Sequence, residues 1–308
     1  MLNIHRKLQM KLSSSIHECL TDRAICLLKQ FGVTTVVQLL SMKPEKLCSI
    51  LSLSYSMITK VRMEIFREHS AFPEVGLDVY QASLEDEVQL HSGSIQLDKL
   101  VGKLQGGTVY EVFGHSSSGK TQICLTVAAV CARVGGRVIY ADSKGDFDPA
   151  RLAQICCRRG GDLADMDRII KVKVDTYKSL LLAVTKVVDE LENIKLVVVD
   201  NVTFPIMSMM GNKSTVRTAF ATSCKVGHQL HQLASMHGAV VMVVSNMRGG
   251  DQCNSPALGG IWDRLADVRM LMEQVTEEER MVTVMRGRGL GGKCKVVIND
   301  SGVCDSEK

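Results

Sequence analysis

The sequence feature that most constrains the fold is a glycine-rich loop between an apolar run and a helical stretch. Residues 108–114 read TVYEVFG, a short run typical of a buried strand, and residues 122–133 are rich in apolar residues that suit a helix. Between them the chain has the form Gly-x-x-x-x-Gly-Lys-Thr. A strand, this loop and a helix in succession predict a phosphate-binding site rather than a chance run of small residues.

Each residue type in this loop has a physical reason to be there. The glycines let the backbone wrap closely around phosphates, and successive amides at the positive end of the following helix receive anionic oxygens. Lys120 reaches the β- and γ-phosphates of a nucleotide, and the hydroxyl of Thr121 is placed to ligate a metal ion. The sequence therefore predicts ATP and Mg²⁺ as cofactors. The predicted binding residues are Gly114, His115, Ser116, Ser117, Ser118, Gly119, Lys120, Thr121 and Gln122.

Short runs rich in β-branched residues alternate with helical stretches beyond residue 94. The runs cover 108–114, 136–142, 169–174, 195–200 and 239–245, and the helical stretches cover 122–133, 149–159, 177–192 and 216–237. This alternation predicts an α/β fold with a mainly parallel sheet covered on both faces. Three further runs after residue 265 predict strands that extend one side of the sheet.

A second candidate site residue ends one of these strands. Residues 196–200 read LVVVD, an apolar run that closes on Asp200. Ligands gather at the carboxyl ends of strands in a parallel sheet, so Asp200 is expected beside Thr121. The carboxylate would hold the metal ion there, usually through water.

The chain divides by pattern into three parts. Residues 1–70 predict a small all-helical N-terminal domain of about four short helices, in which Pro44 suits a first helical turn. Residues 71–93 predict a linker, because they contain Pro73, Gly76 and an acidic cluster. Residues 94–308 predict the ATP-binding core.

Composition excludes several classes of protein. The chain is 45% hydrophobic and 23% charged, which is typical of a folded globular protein, and no run approaches the roughly 18 apolar residues of a membrane span. Its net charge of +4 is too small to identify a nucleic-acid partner. The 11 cysteines are scattered and odd in number, which favours reduced thiols in the cytosol or nucleus.

Two longer segments carry a family resemblance. SGSIQLDKLVGKLQGGTVYEVFGHSSSGKTQICLTVA (92–128) and DSKGDFDPARL (142–152) resemble the RecA-type recombinases, specifically their eukaryotic Rad51 branch. A helical domain and linker before the core also fit, so the resemblance extends from about residue 17 to 300. Within the branch, GVTTVVQLLS, LSYSMITKVR, SAFP and SPALGGIWDRLADVRMLM are most similar to the D paralogue group, which are mediators rather than strand-exchange recombinases.

The resemblance implies roles for residues near the nucleotide, and two of them depart from the family pattern. Arg151 matches the family arginine that stacks on adenine. Lys144 stands where active recombinases have the glutamate that orients the attacking water, and Met247 replaces a glutamine that senses the γ-phosphate. A methionine cannot donate a hydrogen bond, and a lysine is no base at neutral pH unless its pKa is strongly lowered. Asp146 could substitute only if the loop rearranges; if that stretch is extended, Asp146 and Lys144 point to the same side.

The resemblance also implies two loops that face DNA. One follows Asp200 and contains Lys213 and Arg217, and the other contains Arg248. A third candidate is the basic run RGRGLGGKCK (286–295), with Arg286 and Arg288. Mobile glycine-rich segments with a few cations suit contacts to a single-stranded or branched DNA backbone. Each segment is equally consistent with an ordinary solvated surface loop.

Partner binding is predicted from the linker. The family joins subunits by inserting the phenylalanine of a Phe-x-x-Ala motif into a neighbour, and here Phe72 is followed by Val75 in the alanine position. Phe72 is therefore expected to dock another recombinase paralogue through an apolar anchor. The resemblance further implies heteromeric complexes with other paralogues, contact with the recombinase itself, and a nuclear location.

Three functions stay open from the sequence. The first is an ATP-binding mediator of homologous recombination that loads or remodels recombinase within a heteromeric complex and hydrolyses ATP weakly. The second is an active DNA-dependent ATPase and strand-exchange recombinase, against which Lys144 and Met247 argue. The third is an interaction scaffold with a vestigial nucleotide site, against which the intact Lys120, Thr121 and Asp200 set argues.

Overall fold

The computed structural model divides the chain into two units, Met1–Glu85 and Asp86–Lys308. The first contains the predicted helical domain, and the second contains the predicted α/β core. The residues that the structure describes are 11–69, 75–85, 88–187, 193–208, 216–247, 257–258, 262, 264–287 and 291–306.

The first unit contains short helices, of which the four before residue 70 pack on a common apolar core. Thr35 caps the second of them, since its hydroxyl accepts from the amide of Gln38 and the Gln38 side chain accepts from the Thr35 amide. Pro44 occupies the first turn of the third helix, as predicted. The core includes the fully buried Leu28 and Ile65. The helices are α1 (Asp22–Gln30), α2 (Val36–Ser41), α3 (Pro44–Leu51), α4 (Tyr55–His69) and α5 (Gly76–Glu85).

The last of these helices lies in the segment expected to be a linker. Helix α5 covers Gly76–Glu85, and a short strand follows at Gln89–Leu90. Proline and glycine at the start of the segment led to the expectation of an irregular linker, but the residues beyond Gly76 include good helix formers. The domain boundaries proposed from the sequence stay a prediction.

The second unit is built on a nine-stranded sheet of order β11-β10-β9-β8-β3-β7-β6-β4-β5. Strands β8, β3, β7, β6, β4 and β5 run parallel, and β9, β10 and β11 extend one side in antiparallel pairing. A separate antiparallel pair joins β1 and β2. The predicted α/β fold and the extension of the sheet after residue 265 are thus confirmed. The strands are β1 (Gln89–Leu90), β2 (Leu104–Gln105), β3 (Val109–Gly114), β4 (Arg137–Asp142), β5 (Ile169–Lys173), β6 (Ile194–Asp200), β7 (Val240–Asn246), β8 (Val268–Gln274), β9 (Glu279–Arg286), β10 (Gly292–Asn299) and β11 (Gly302–Asp305).

Both faces of the sheet are covered by apolar packing. Alternate residues of a strand point to opposite faces, so Tyr110 and Val198 pack in one cluster while Val109 and Val197 pack in the other. This is why the central strands are apolar along most of their length rather than alternating with polar residues. The helices are α6 (Ile95–Val101), α7 (Lys120–Arg133), α8 (Pro149–Arg158), α9 (Tyr177–Leu182), α10 (Thr203–Met207) and α11 (Val216–His237), with a 3₁₀ turn at Leu163–Arg168 and a π-helical turn at Ala183–Val187.

The sheet register aligns the carboxyl ends of the parallel strands. Gly114 at the end of β3 pairs with Asn246 at the end of β7, and Asp142 at the end of β4 pairs with Asp200 at the end of β6. The glycine-rich loop and the polar strand ends therefore share one edge of the sheet. Within the described part of the chain, no helix is both long and apolar enough to cross a membrane.

Candidate nucleotide-binding site

The glycine-rich loop turns tightly against β8 and β10. A Cβ atom at Gly114 would lie 2.2 Å from the carbonyl oxygen of Met272, and one at Gly119 would lie 2.5 Å from Cδ1 of Ile298. Gly119 also has φ of +99°, a conformation that a residue with a side chain rarely adopts. Both positions therefore require glycine for packing as well as for access to phosphate.

Lys120 is folded back onto the loop that precedes it. Its amine donates to the carbonyl oxygens of Gly114 at 3.0 Å and His115 at 2.5 Å, and it lies 3.4 Å from the hydroxyl of Ser118. Burial lowers the pKa of the Lys120 amine, and the nearby Asp200 carboxylate acts in the opposite direction. The amine is thus a largely desolvated cation held at the N-terminus of α7.

Asp200 ends β6 with its carboxylate 3% exposed. The Tyr140 hydroxyl donates to Oδ2 at 2.9 Å, and the Thr121 hydroxyl is close enough to this carboxylate to favour its charged form. Burial raises the pKa of the Asp200 carboxyl, while the hydroxyls of Thr121 and Tyr140 lower it. Sequence reasoning expected Asp200 beside Thr121, and the structure brings the two together.

These side chains fit the metal ion that a bound nucleotide would bring. Mg²⁺ prefers hard oxygen ligands and is commonly held by one or two protein oxygens together with substrate phosphates. The Asp200 carboxylate and the Thr121 hydroxyl offer that donor set at one point of the cavity. The Asp200 carboxylate is buried beside neutral hydroxyls, so a bound metal cation would neutralise its negative charge.

The loop after β4 carries Lys144 and Asp146. The Asp142 carboxylate accepts hydrogen bonds from the amides of Gly145 at 2.8 Å and Asp146 at 3.2 Å, and Gly145 has φ of +84°. The stretch is therefore bent around Asp142 rather than extended. Lys171 reaches the same carboxylate, with its amine 3.0 Å from Oδ2.

A cavity of about 410 Å³ lies where this loop meets the glycine-rich loop. Lys144 and Asp146, both exposed, contribute to its wall, so Asp146 lines the site without the rearrangement expected from an extended loop. The lining residues are Ser116, Ser117, Gly119, Lys120, Thr121, Gln122, Lys144, Asp146, Asp200, Asn201, Val244, Asn246, Arg280 and Ile298.

A second cleft of about 630 Å³ adjoins the first, because Ile298 lines both. Its wall includes Arg151, whose guanidinium donates to the side chain of Gln122 at 2.9 Å and of Gln154 at 2.5 Å. The same guanidinium bonds to the Asn299 carbonyl at 2.5 Å. This planar group is thereby held at the edge of a cleft that neighbours the phosphate cavity, a position that suits stacking on a base.

A hydrogen-bond network joins the ends of β4, β6 and β7 under the cavity. Ser143 Oγ donates to the Asn201 carbonyl at 2.7 Å, and the Asn201 side chain donates to Asn246 Oδ1 at 2.8 Å. The Asn246 amide donates to Thr203 Oγ1 at 3.0 Å. Met247 follows directly and is partly buried. The network thus reaches the residue that precedes Met247.

Several predicted DNA and partner residues lie outside the described part of the chain. These are Phe72, Lys213, Arg248 and Arg288, and for Arg217 only the backbone position in α11 is described. Arg286 ends β9, about 20 Å along that strand from Arg280 at the nucleotide edge. The two loops expected to face DNA follow Asp200 at the end of β6 and Asn246 at the end of β7. Arg286 therefore lies toward the opposite end of the sheet from these two loops.

Sequence reasoning missed some residues that line or support the cavity. Asn201 and Ser143 were not predicted, although each sits next to a strand-ending acid and that position is a usable signal. Ile298 and Arg280 come from β10 and β9. No local pattern identifies these two, because only the order of strands in the sheet brings them to the loop.

Known proteins resemble the chain over most of its length. The Rad51 family pattern matches residues 84–306. DNA repair protein RAD51 homolog 4 of Bos taurus is 31% identical over 271 residues, covering 82% of this chain and 82% of that protein. The Mus musculus protein of the same name is 31% identical over 274 residues, covering 84% and 82%. DNA repair protein RAD51 homolog 1 of Arabidopsis thaliana is 27% identical over 244 residues, covering 73% and 71%.

Proposed function

The chain belongs to the Rad51 family, and from that premise we propose that it is an ATP-binding paralogue that acts in homologous-recombination DNA repair. Two relatives named RAD51 homolog 4, the D paralogue, are 31% identical to it, against 27% for a plant RAD51 homolog 1. This difference supports a mediator of the D type over the strand-exchange recombinase.

The observation that carries the proposal is the composition of the phosphate cavity. Lys120, Thr121 and Asp200 line one space, and the cleft beside Arg151 adjoins it. A polyphosphate with its metal ion fits the first and an adenine base fits the second, so ATP with Mg²⁺ is the proposed ligand. An intact set of this kind argues against a scaffold whose nucleotide site is vestigial.

We expect weak hydrolysis because Lys144 occupies the position where the family has its water-orienting carboxylate. An attacking water needs a carboxylate to orient it, and the family position for that group is Lys144. A lysine there would attract a phosphate oxygen and stabilise bound ATP, with no gain that is specific to the transition state. We therefore propose that ATP acts mainly as a structural ligand that stabilises the core.

One observation favours the active ATPase as a second candidate. The exposed Asp146 lines the same cavity as Lys144. A carboxylate in the wall of the cavity could orient water in place of the missing glutamate. Met247, which cannot relay the γ-phosphate through a hydrogen bond, argues against coupling such hydrolysis to DNA.

The proposal also covers the partners of the chain and its cellular location. We propose that the chain works in a heteromeric complex with other paralogues, assists the recombinase on single-stranded or branched DNA, and resides in the nucleus. A neighbouring subunit could supply the group that Lys144 does not. Phe72 stays the proposed anchor for a partner, and Lys213, Arg217, Arg248, Arg286 and Arg288 stay proposed DNA contacts.

The experiment measures ATP affinity beside single-turnover hydrolysis for the purified chain and for Lys144→Glu. We expect tight binding with negligible turnover in the wild type, and a rate about a hundredfold higher in the variant, at the low end of what a positioned carboxylate contributes. Lys46→Glu, an exposed charge reversal on α3, is the matched control and should leave both values unchanged.

Each alternative has its own result. Turnover by the wild type at ordinary ATPase rates, lost in Asp146→Asn, would support the active enzyme. Absence of ATP binding by the folded wild type would support the scaffold and overturn the proposal. Tight binding with no gain in Lys144→Glu would show that another missing group limits hydrolysis.

A further inference from the structure

Arg280 is a buried cation that contacts the phosphate-binding loop from outside the motif. It is the second residue of β9, and its side chain is 7% exposed. Its Nε–H donates to the Ser118 carbonyl at 3.1 Å. A Cβ atom at Gly119 would lie 3.5 Å from the same nitrogen, so the guanidinium abuts the turn that leads into Lys120. Arg280 also lines the phosphate cavity.

The remaining contacts of Arg280 are all with carbonyl oxygens. Nη1 donates to the carbonyls of Thr276 at 2.9 Å, Glu277 at 2.9 Å and Glu279 at 3.0 Å, which belong to the turn between β8 and β9 and the start of β9. The carboxylate of Glu279 instead faces Lys295 at 3.4 Å. Across the described residues, Arg280 forms no ion pair with a carboxylate.

A buried arginine without a carboxylate partner calls for an explanation. Desolvating a charge is costly, and buried charges in proteins are usually paired. Carbonyl dipoles solvate the guanidinium in part but do not neutralise it. Lys120, at the end of the phosphate-binding loop, is a second largely buried cation, and its amine also donates to backbone carbonyls. An anion in the cavity would compensate both charges at once.

We propose that Arg280 is a positioning residue of the nucleotide site that also makes the cavity select a triphosphate over a diphosphate. It does so by holding the turn at Ser118 and by adding a second buried positive charge beside Lys120. This inference rests on the proposed function of the cavity as an ATP site. It adds a residue that lies far from the motif in sequence and reaches it only through the sheet.

The shape of the arginine side chain suits this position. A guanidinium presents Nε and Nη donors in a fixed plane, so one side chain bonds the loop with one edge and the β8–β9 turn with another. A lysine at this position keeps the charge but cannot hold both segments in the same geometry. A glutamine removes the charge. The two substitutions therefore separate the electrostatic role from the structural one.

The test compares dissociation constants for Mg-ATP and Mg-ADP in the wild type, Arg280→Lys and Arg280→Gln. We expect Arg280→Gln to weaken ATP binding about tenfold and ADP binding about threefold, since charged hydrogen bonds are worth more than neutral ones. Arg280→Lys should weaken both nucleotides equally and so retain the wild-type ATP-to-ADP ratio. Arg137→Gln, which removes an exposed charge at the other end of the sheet, is the control.

A structural role alone predicts a different pattern. If Arg280 only supports the loop, Arg280→Gln lowers ATP and ADP affinity by the same factor, and that result overturns the proposed selectivity. Unchanged binding in Arg280→Gln overturns the proposal entirely. Failure of the wild type to bind either nucleotide would instead overturn the proposed function, so the two failures are distinguishable.

A measurement on the wild type covers the case in which Arg280→Gln does not fold. The Nε–Hε NMR signal of Arg280 can be identified by its loss in Arg280→Lys, which keeps the charge and most of the aliphatic stem. We expect this signal to shift when Mg-ATP is added and to shift less with Mg-ADP. The same small response to both nucleotides would contradict the proposal.

Discussion

Two buried carboxylates of the same sheet have opposite surroundings. Glu111, in the middle of β3, is fully buried and accepts bonds from Ser245 Oγ at 2.5 Å and Arg269 Nε at 2.7 Å. Asp200, at the end of β6, is also buried, but it accepts a bond from the neutral hydroxyl of Tyr140 and lies near the neutral hydroxyl of Thr121. Burial raises the pKa of both carboxyls.

The difference shows which buried acid is available to a ligand. Glu111 has an arginine as counter-ion, and that pair joins β3 to β8 at positions that are in register. Among the described residues Asp200 forms no direct ion pair, although the Lys120 amine is nearby, and Asp200 lines the phosphate cavity. A charge that the protein itself neutralises holds strands together, whereas one left to neutral donors can accept a metal ion.

The largest effect is expected from Glu111→Ala. Removing Glu111 takes away the carboxylate that neutralises the buried Arg269, so the free energy of unfolding should fall by about 3–5 kcal/mol. Urea unfolding followed by circular dichroism measures this loss. The double variant Glu111→Met with Arg269→Met should recover most of the stability, because it removes both charges of this pair. If the single variant is as stable as the wild type, the pair has no structural role.

Asp200→Asn should weaken ATP binding rather than folding. We expect the affinity for ATP in the presence of Mg²⁺ to fall about tenfold, which corresponds to about 1.4 kcal/mol, while affinity measured with a chelator changes little. Calorimetric titration with and without Mg²⁺ makes the comparison. Asp175→Asn, an exposed carboxylate paired with Lys173, is the control. Equal losses with and without Mg²⁺ would argue against a metal-binding role.

The same variant should alter the dependence of stability on pH. The pKa of Asp200 is raised in the folded state above its ordinary value of 3.8, so the folded chain binds this proton more tightly than the unfolded chain. Its stabilising contribution is full below that ordinary value and is lost as pH rises through the raised pKa. Without nucleotide, the wild type should therefore lose stability relative to Asp200→Asn as the pH rises above about 4 and through the raised pKa. A difference that stays constant with pH would contradict the raised pKa.

The smallest effect is expected from Tyr140→Phe. The variant removes one hydrogen bond to Asp200 and keeps the edge-to-face contact with Phe147, whose ring centroid lies 4.8 Å away. Stability should fall by about 1 kcal/mol, and Mg-ATP affinity about threefold. Tyr110→Phe removes a hydroxyl near the start of β3, at the end of the strand away from the cavity. It should lower stability without changing nucleotide affinity. A loss of nucleotide affinity in both variants would remove the distinction between the two regions.

The fold was predictable to a large extent because its signals are local. The predicted run at 108–114 became β3 at Val109–Gly114, and the predicted helix at 216–237 became α11 at Val216–His237. Apolar continuity and helical spacing reflect burial of each element on its own. The shortest elements, such as β11 and α10, were missed because two to five residues carry too little periodicity to be recognised.

The loop after β4 was predicted only in part. The sequence left open whether this stretch is extended, and the structure shows it bent, because the Asp142 carboxylate accepts hydrogen bonds from the amides of Gly145 and Asp146. Lys171, which comes from the neighbouring strand β5, contacts the other oxygen of the same carboxylate. A contact from another strand leaves no mark within the loop sequence.

The amino-acid sequence alone determined the phosphate-binding loop, the order of strands and helices along the chain, and the presence of Lys144 in the loop after β4. These are properties of short contiguous segments, whose chemistry does not depend on distant residues. The roles of Arg280, Glu111 and Ile298 depended on the folded chain. A buried charge or a close apolar contact is defined by its neighbours in space, and those neighbours are set by strand order and register.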